Sequence, residues 1–85
     1  MYFTNRAELK ISIYALEKES VLGSLQNRLL NCYNLLEKSF IQIIEINRIL
    51  FAVVLDNEEQ RVITIYRTDK ETRENRKKNG RWKCK

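Results

Sequence analysis

The first part of the chain carries apolar residues at helical intervals. Ala7, Ile11 and Tyr14 can share one face of a helix, and this spacing predicts a first helix over residues 6–18. Apolar residues also occupy every second position over 9–15, which is the pattern of a half-buried strand. A strand in this stretch therefore stays open as the alternative to the helix.

A second helical pattern begins near residue 20. Ser20 has the chemistry of an N-cap, because its hydroxyl can accept a hydrogen bond from a backbone N–H of the first turn. The apolar positions that recur at helical intervals are Leu22, Leu25, Leu29, Cys32, Tyr33 and Leu36. They predict a second helix over 20–38.

From residue 40 the chain changes to β-branched and aromatic residues. Polar breaks at "NR" and "DNEEQ" divide this region into three predicted strands, 40–46, 49–55 and 61–67. Such short connections favour antiparallel neighbours, so a three-stranded antiparallel meander is expected. The predicted fold class is α+β, with the two N-terminal helices packed on the meander.

The third predicted strand alternates regularly. Val62, Thr64 and Tyr66 are expected on one face and the two isoleucines on the other. If the helices cover the isoleucine face, Thr64 and Tyr66 look outward from the opposite face.

Positive charge is concentrated at the C-terminus. The chain has 85 residues and a net charge of +5, a length that allows one domain. Residues 1–66 hold seven Lys/Arg and eight Asp/Glu, so 7 − 8 = −1, while 67–85 hold nine and three, so 9 − 3 = +6. We therefore expect a single domain over 1–69 and a basic extension of it over 70–85, as a tail or a short helix.

The cysteines and the apolar stretches bear on the cellular setting. Cys32 and Cys84 lack metal-ligand spacing, and a disulfide framework normally contains more cysteines, so a reducing cytoplasmic setting is expected. The most apolar stretch, "FIQIIEINRILFAVVL", has sixteen residues and includes Glu45 and Arg48, which excludes it as a membrane span. The N-terminus also lacks the pattern of a signal peptide.

Candidate chemistry is limited by the absence of histidine, which removes the commonest general acid/base and transition-metal ligand. No cofactor or metal is expected. The residues that remain are cationic or aromatic: Tyr66, Arg67, Lys70, Arg73, Arg76, Lys77, Lys78, Arg81, Trp82 and Lys83. Lys and Arg can bind phosphates, and Tyr or Trp can stack on an unpaired base, so this set predicts RNA binding. The alternatives are a basic tail that only aids solubility and a Trp82 that packs in the core.

One segment resembles a known family. The stretch "ILFAVVLDNEEQRVITIYRTDKETR", residues 49–73, reads as a buried strand, an acidic turn and a strand that leads into Lys and Arg. With two preceding helices, this order resembles the small toxins of the RelE/ParE superfamily, in the barnase, colicin and RelE-like ribonuclease group. The resemblance implies a metal-independent endoribonuclease in which Tyr66, Arg67, Lys70 and Arg73 are catalytic.

Partners follow from the residues as well as from the resemblance. The cationic and aromatic residues expected to bind the RNA are Arg76, Lys77, Lys78, Arg81, Trp82 and Lys83. An acidic antitoxin-like protein is the protein partner that a toxin would have, and a homodimer stays open. ParE-like relatives act by binding a protein instead of cutting RNA. A non-catalytic nucleic-acid-binding module and a protein-interaction toxin are therefore the alternatives to the enzyme.

Overall fold

Strands dominate the computed structural model, which describes residues 1–69, 71, 75, 80 and 82–84. Its elements are β1 (Tyr2–Phe3), α1 (Asn5–Ile13), α2 (Lys18–Gln26), β2 (Leu30–Asn34), β3 (Ser39–Ile46), β4 (Ile49–Leu55), β5 (Arg61–Arg67) and β6 (Trp82–Cys84). Within these residues the strands form one sheet in the order β1-β5-β4-β3-β2-β6. β1 runs parallel to β5, and the other neighbouring strands pair antiparallel.

The three strands predicted for the meander are present as β3, β4 and β5. The last paired residues of β3 and β4 are Ile46 and Ile49, so Asn47 and Arg48 form a two-residue turn between the strands. Both turn residues have positive φ, 53° and 66°, as hairpin turns of the primed type require. The polar break at "NR" therefore marks a hairpin turn.

The second predicted helix is wrong beyond residue 26. α2 ends at Gln26, and residues 30–34 form β2, which pairs with β3. Asn, Cys and Tyr are poor helix formers, and Leu30 and Cys32 also satisfy a strand pattern with one face buried. Pairing with the buried strand β3 therefore outweighs the helical spacing of the leucines.

The predicted fold class is wrong as well. In the described part of the chain, the sheet has six strands and mixed direction, and the short helices α1 and α2 pack on one face of it, so the protein is not two helices on a three-stranded meander. The additional edge strands β1 and β6 have two and three residues, too few to show any periodicity in the sequence. Both depend on partners that are distant along the chain.

The two faces of the sheet carry separate apolar clusters. α1 and α2 cover one face, where the buried residues are Ala7, Ile11, Val21, Leu25, Ile44, Phe51, Val53, Leu55, Val62 and Ile65; we call this the helix-side core. The buried residues on the other face are Cys32, Ile41, Ile43, Ala52, Val54 and Trp82, called here the opposite-face cluster. Because strand side chains alternate, the central strand β4 contributes to both.

Cys32 and Cys84 form a disulfide, so the expectation of two unpaired cysteines is wrong. They lie 52 residues apart in sequence but are direct partners in the register of β2 and β6. The bond thus fastens the edge strand β6 to the sheet. The sequence pattern does not indicate this pairing, because residues 30–34 fit the predicted second helix and β6 is too short to show a strand pattern.

Candidate functional site

A β-bulge in β5 decides which side chains face each side of the sheet. Val54 is paired with Thr64, but the next residue, Leu55, is paired with Val62, so Ile63 is an extra residue. Val62 and its neighbours on that side enter the helix-side core, whereas Thr64 and Tyr66 face the other way. Thr64 and Tyr66 face away from the helices, as predicted. The rest of the predicted alternation is wrong, because Val62 lies on the helix side and Ile63 packs against the opposite-face cluster.

A cleft of about 360 Å³ opens on the face of the sheet that bears Thr64 and Tyr66. Its described lining consists of Arg6, Lys10, Asn34, Glu37, Ser39, Ile41, Val54, Ile63, Thr64 and Tyr66. Cross-strand partners Thr64, Val54 and Ile41 form a row along its floor. Two cations therefore border one end, aliphatic side chains form the middle, and polar groups from β2, β3 and the turn between them border the other end.

Thr4 positions the cationic end. Its hydroxyl donates to the carbonyl of Ile63 at 2.7 Å and accepts from the backbone N–H of Ala7 at 3.2 Å, so one side chain caps α1 and ties it to the bulge. Ala7 is buried in the helix-side core. Arg6 and Lys10 lie four residues apart on α1, which brings both to the cleft beside β5.

The polar end is formed by Asn34, Glu37 and Ser39. The Oδ1 atom of Asn34 accepts from the backbone N–H groups of Leu36 and Glu37, at 3.0 and 3.1 Å, and so shapes the turn between β2 and β3. Ser39, the β3 partner of Asn34, is only 4% exposed. Its hydroxyl has no hydrogen-bond partner among the described residues.

The turn before β5 is held by Asp56. Its Oδ1 atom accepts from the backbone N–H groups of Gln60 and Arg61, at 2.8 and 3.1 Å, and its Oδ2 atom accepts from the Arg61 guanidinium. Partial desolvation acts to raise the pKa of Asp56, but these hydrogen bonds outweigh it and hold the pKa below its ordinary value. The ionised carboxylate thus fixes the start of β5, ahead of the bulge.

Of the four predicted catalytic residues, only Tyr66 and Arg67 are described, and they project from opposite faces of β5. Tyr66 borders the cleft, but Arg67 follows it along the strand and projects from the opposite face. The backbone N–H of Arg67 donates to the hydroxyl of Tyr14 at 3.4 Å, on the helix side. Lys70 and Arg73 lie outside the described residues. Among the described residues, Arg6 and Lys10 are the cations that border the cleft with Tyr66.

Two of the predicted RNA-binding residues, Trp82 and Lys83, lie within the described part of the chain. Trp82 is 3% exposed and packs in the opposite-face cluster, so its indole is not available to stack on a base. This is the alternative in which Trp82 packs in the core. Lys83 is exposed, and because it follows Trp82 in β6 it projects from the other face. Predicted residues that lie outside the described part are Arg76, Lys77, Lys78 and Arg81.

The sequence did not identify Arg6, Lys10 or Ser39 as site residues. The spacing of Arg6 and Lys10 indicated that they could share a helical face, but it could not indicate which strand that face would meet. Ser39 looked like an ordinary polar residue before a strand. Its burial beside Asn34 depends on the β2–β3 hairpin, which was not predicted.

Comparisons with known proteins add no assignment. No family model, curated protein or solved structure matches the chain. The resemblance to RelE/ParE-like toxins therefore stays a prediction. Among the described residues, no group of three or more His, Cys, Asp or Glu side chains is placed to hold a metal ion. Neither described helix has the length and apolar character needed to cross a membrane.

Proposed function

We propose that the protein binds single-stranded RNA through the cleft. The observation that carries the proposal is the grouping of Arg6, Lys10 and Tyr66 along one concave surface. Guanidinium and ammonium groups attract phosphate, and an aromatic side chain beside an aliphatic floor suits an unpaired base.

The charge distribution supports the same proposal. Residues 67–85 contribute +6 to a net charge of +5, and they follow directly from β5, the strand that carries Tyr66. Cationic segments raise the local concentration of a polyanion and supply affinity that depends on salt. The cleft would then position the RNA, while the C-terminal segment contributes attraction that does not depend on sequence.

The proposal is tested by measuring the affinity of a labelled short single-stranded RNA over a series of salt concentrations. Arg6→Ala and Lys10→Ala are each expected to weaken binding and to lower the slope of log K against log salt by about one unit per lost phosphate contact. Arg48→Gly is the matched control, since it removes a cation at the far end of β3 and β4, at a positive φ that glycine adopts readily.

Equal effects of the three substitutions would show that only net charge matters and would contradict a role for the cleft. Absence of binding by the wild-type protein at low salt would contradict RNA binding altogether.

Metal-independent RNA cleavage is the second candidate function. It is favoured by the presence of Tyr66 in the lining of a cleft that Arg6 and Lys10 also border, since the chain has no histidine to move a proton. A ribose 2′-OH would attack its adjacent phosphorus, and the 5′-oxygen would leave with a proton, giving a 2′,3′-cyclic phosphate and a 5′-OH. Arg6 and Lys10 would stabilise the charge that develops on the phosphoryl oxygens.

Incubation of pure protein with labelled RNA in EDTA tests this step. Tyr66→Phe is expected to lower the cleavage rate far more than RNA affinity, and the products are expected to carry cyclic phosphate. Intact RNA after long incubation at neutral and alkaline pH would leave the binding function alone. An acidic protein partner, a homodimer and a cytoplasmic location stay predictions, and the disulfide weighs against a reducing compartment.

A further inference from the structure

The polar end of the cleft has an unused hydrogen-bonding group. Ser39 is 4% exposed and lines the cleft, and its hydroxyl has no partner among the described residues. A buried hydroxyl without a partner is costly, so natural proteins rarely keep one without a reason. The oxygen itself has almost no accessible surface, so a ligand contacts it only when the side chains over it shift; a ligand that then supplies the hydrogen bond would bind more tightly than one that does not.

The neighbouring groups define what such a ligand must offer. The Oδ1 atom of Asn34 is occupied by the turn, so its side chain has the Nδ2 amide left to donate. Ser39 can both donate and accept, and the carboxylate of Glu37 accepts. Donor and acceptor functions placed side by side match the hydrogen-bonding edge of a nucleobase better than they match a phosphate, which only accepts when fully ionised.

The dimensions of the cleft separate this end from the cations. The cleft extends from α1 across β5, β4 and β3 to β2, and three strand spacings of about 4.8 Å give roughly 14 Å between its ends. One phosphate group cannot contact both ends. Val54 and Ile41 lie between them as a flat aliphatic surface. The volume, about 360 Å³, falls in the range of small-molecule sites, roughly 300–1,000 Å³.

We propose that the cleft holds one nucleotide of the RNA, with its phosphate at Arg6 and Lys10 and the hydrogen-bonding edge of its base at Ser39. The base lies on Val54 and Ile41. This inference rests on the proposed RNA binding and adds recognition of the base to it. The protein would then bind an RNA with a base at this position more tightly than the same RNA with an abasic nucleotide there.

A double-mutant cycle between protein and RNA tests the inference. Wild-type protein and Ser39→Ala are each titrated with a short RNA and with the same RNA that carries one abasic nucleotide. Removing the hydroxyl is expected to weaken binding of the complete RNA about fivefold and to leave binding of the abasic RNA unchanged. Ser20→Ala, which removes an exposed hydroxyl on α2, is the matched control and should affect neither RNA.

Each outcome of this experiment decides between the two proposals. In one outcome, Ser39→Ala weakens the binding of both RNAs equally or of neither, while binding still depends on Arg6 and Lys10. That result overturns the base-reading inference and leaves RNA binding intact. No binding of either RNA at low salt overturns both. Free mononucleotides that bind as tightly as the RNA would overturn RNA as the source of the base. Thermal melts of Ser39→Ala should match or exceed those of the wild type, because the lost hydroxyl has no protein partner among the described residues.

Discussion

Loss of the Cys32–Cys84 disulfide is expected to destabilise the protein strongly. The bond joins residues 52 apart in sequence, and for a closed loop of that length the chain-entropy relation gives about 4 kcal/mol. Domains of this size have a total free energy of unfolding of roughly 5 to 15 kcal/mol. The bond should therefore contribute a large fraction of the free energy of unfolding of this small protein.

Trp82 lies in β6, the strand that the disulfide joins to β2, so its fluorescence reports the effect of losing the bond on that strand. The chain has a single tryptophan, buried in β6 two residues before Cys84. Urea unfolding followed by tryptophan fluorescence reports on β6, while far-UV circular dichroism reports on the whole fold. We expect the two transitions to coincide in the oxidised protein. After reduction with dithiothreitol both midpoints should fall, and fluorescence should change first, because β6 pairs only with β2 among the described strands.

A substitution separates the bond from side effects of the reductant. Cys84→Ser should reproduce the reduced protein, since it removes the bond and keeps the size of the side chain. Lys83→Ala keeps the bond and changes the same strand, so it should unfold at the wild-type midpoint. Two reactive thiols in the untreated protein, or identical midpoints after reduction verified by thiol titration, would refute the reasoning.

Two further predictions concern stability and pH. Val53 is fully buried, so Val53→Ala should lower the free energy of unfolding by about 2 kcal/mol in urea. Leu29 is 55% exposed, so Leu29→Ala should change it by no more than about 0.5 kcal/mol. A larger loss for Leu29→Ala than for Val53→Ala would contradict the assigned faces. Asp56→Asn should lower the melting temperature most near neutral pH. The pKa of Asp56 is lowered in the folded state, so the stabilisation by its carboxylate is present above the unfolded pKa and is lost as pH falls through the folded pKa. A difference in melting temperature between wild type and Asp56→Asn that persists in acid would contradict this.

The elements that could be predicted from the sequence are those with strong local patterns. β3, β4 and β5 have long runs of β-branched residues between polar turns, and α1 has a helical spacing over its short length. β2 could not be recognised, because Leu30 and Cys32 fit a strand while Leu29 and Cys32 extend the helical spacing of α2. Its identity depends on pairing with β3, which a local pattern does not contain.

The site was less predictable than the fold, for the same physical reason. Tyr66 was identified because it lies at the end of a clear strand. The bulge at Ile63 was not visible, since "VITIY" alternates without a break, and only the pairing of Val62 with Leu55 reveals the extra residue. Arg6 and Lys10 line the same cleft as Tyr66 because β1 pairs with β5 and leads directly into α1.

The two ends of the cleft depend on different constraints, and this difference links its chemistry to the redox state. The cationic end is held by Thr4, which caps α1 and bonds the bulge, so it does not depend on β6. The polar end includes Asn34, which lies two residues after Cys32 and is paired with Trp82 in β6. Reduction should therefore loosen the polar end while the cationic end stays in place. If the cleft binds RNA as we propose, titrations of the reduced protein should show the same salt dependence as the oxidised protein, and the coupling between Ser39 and the base should be lost.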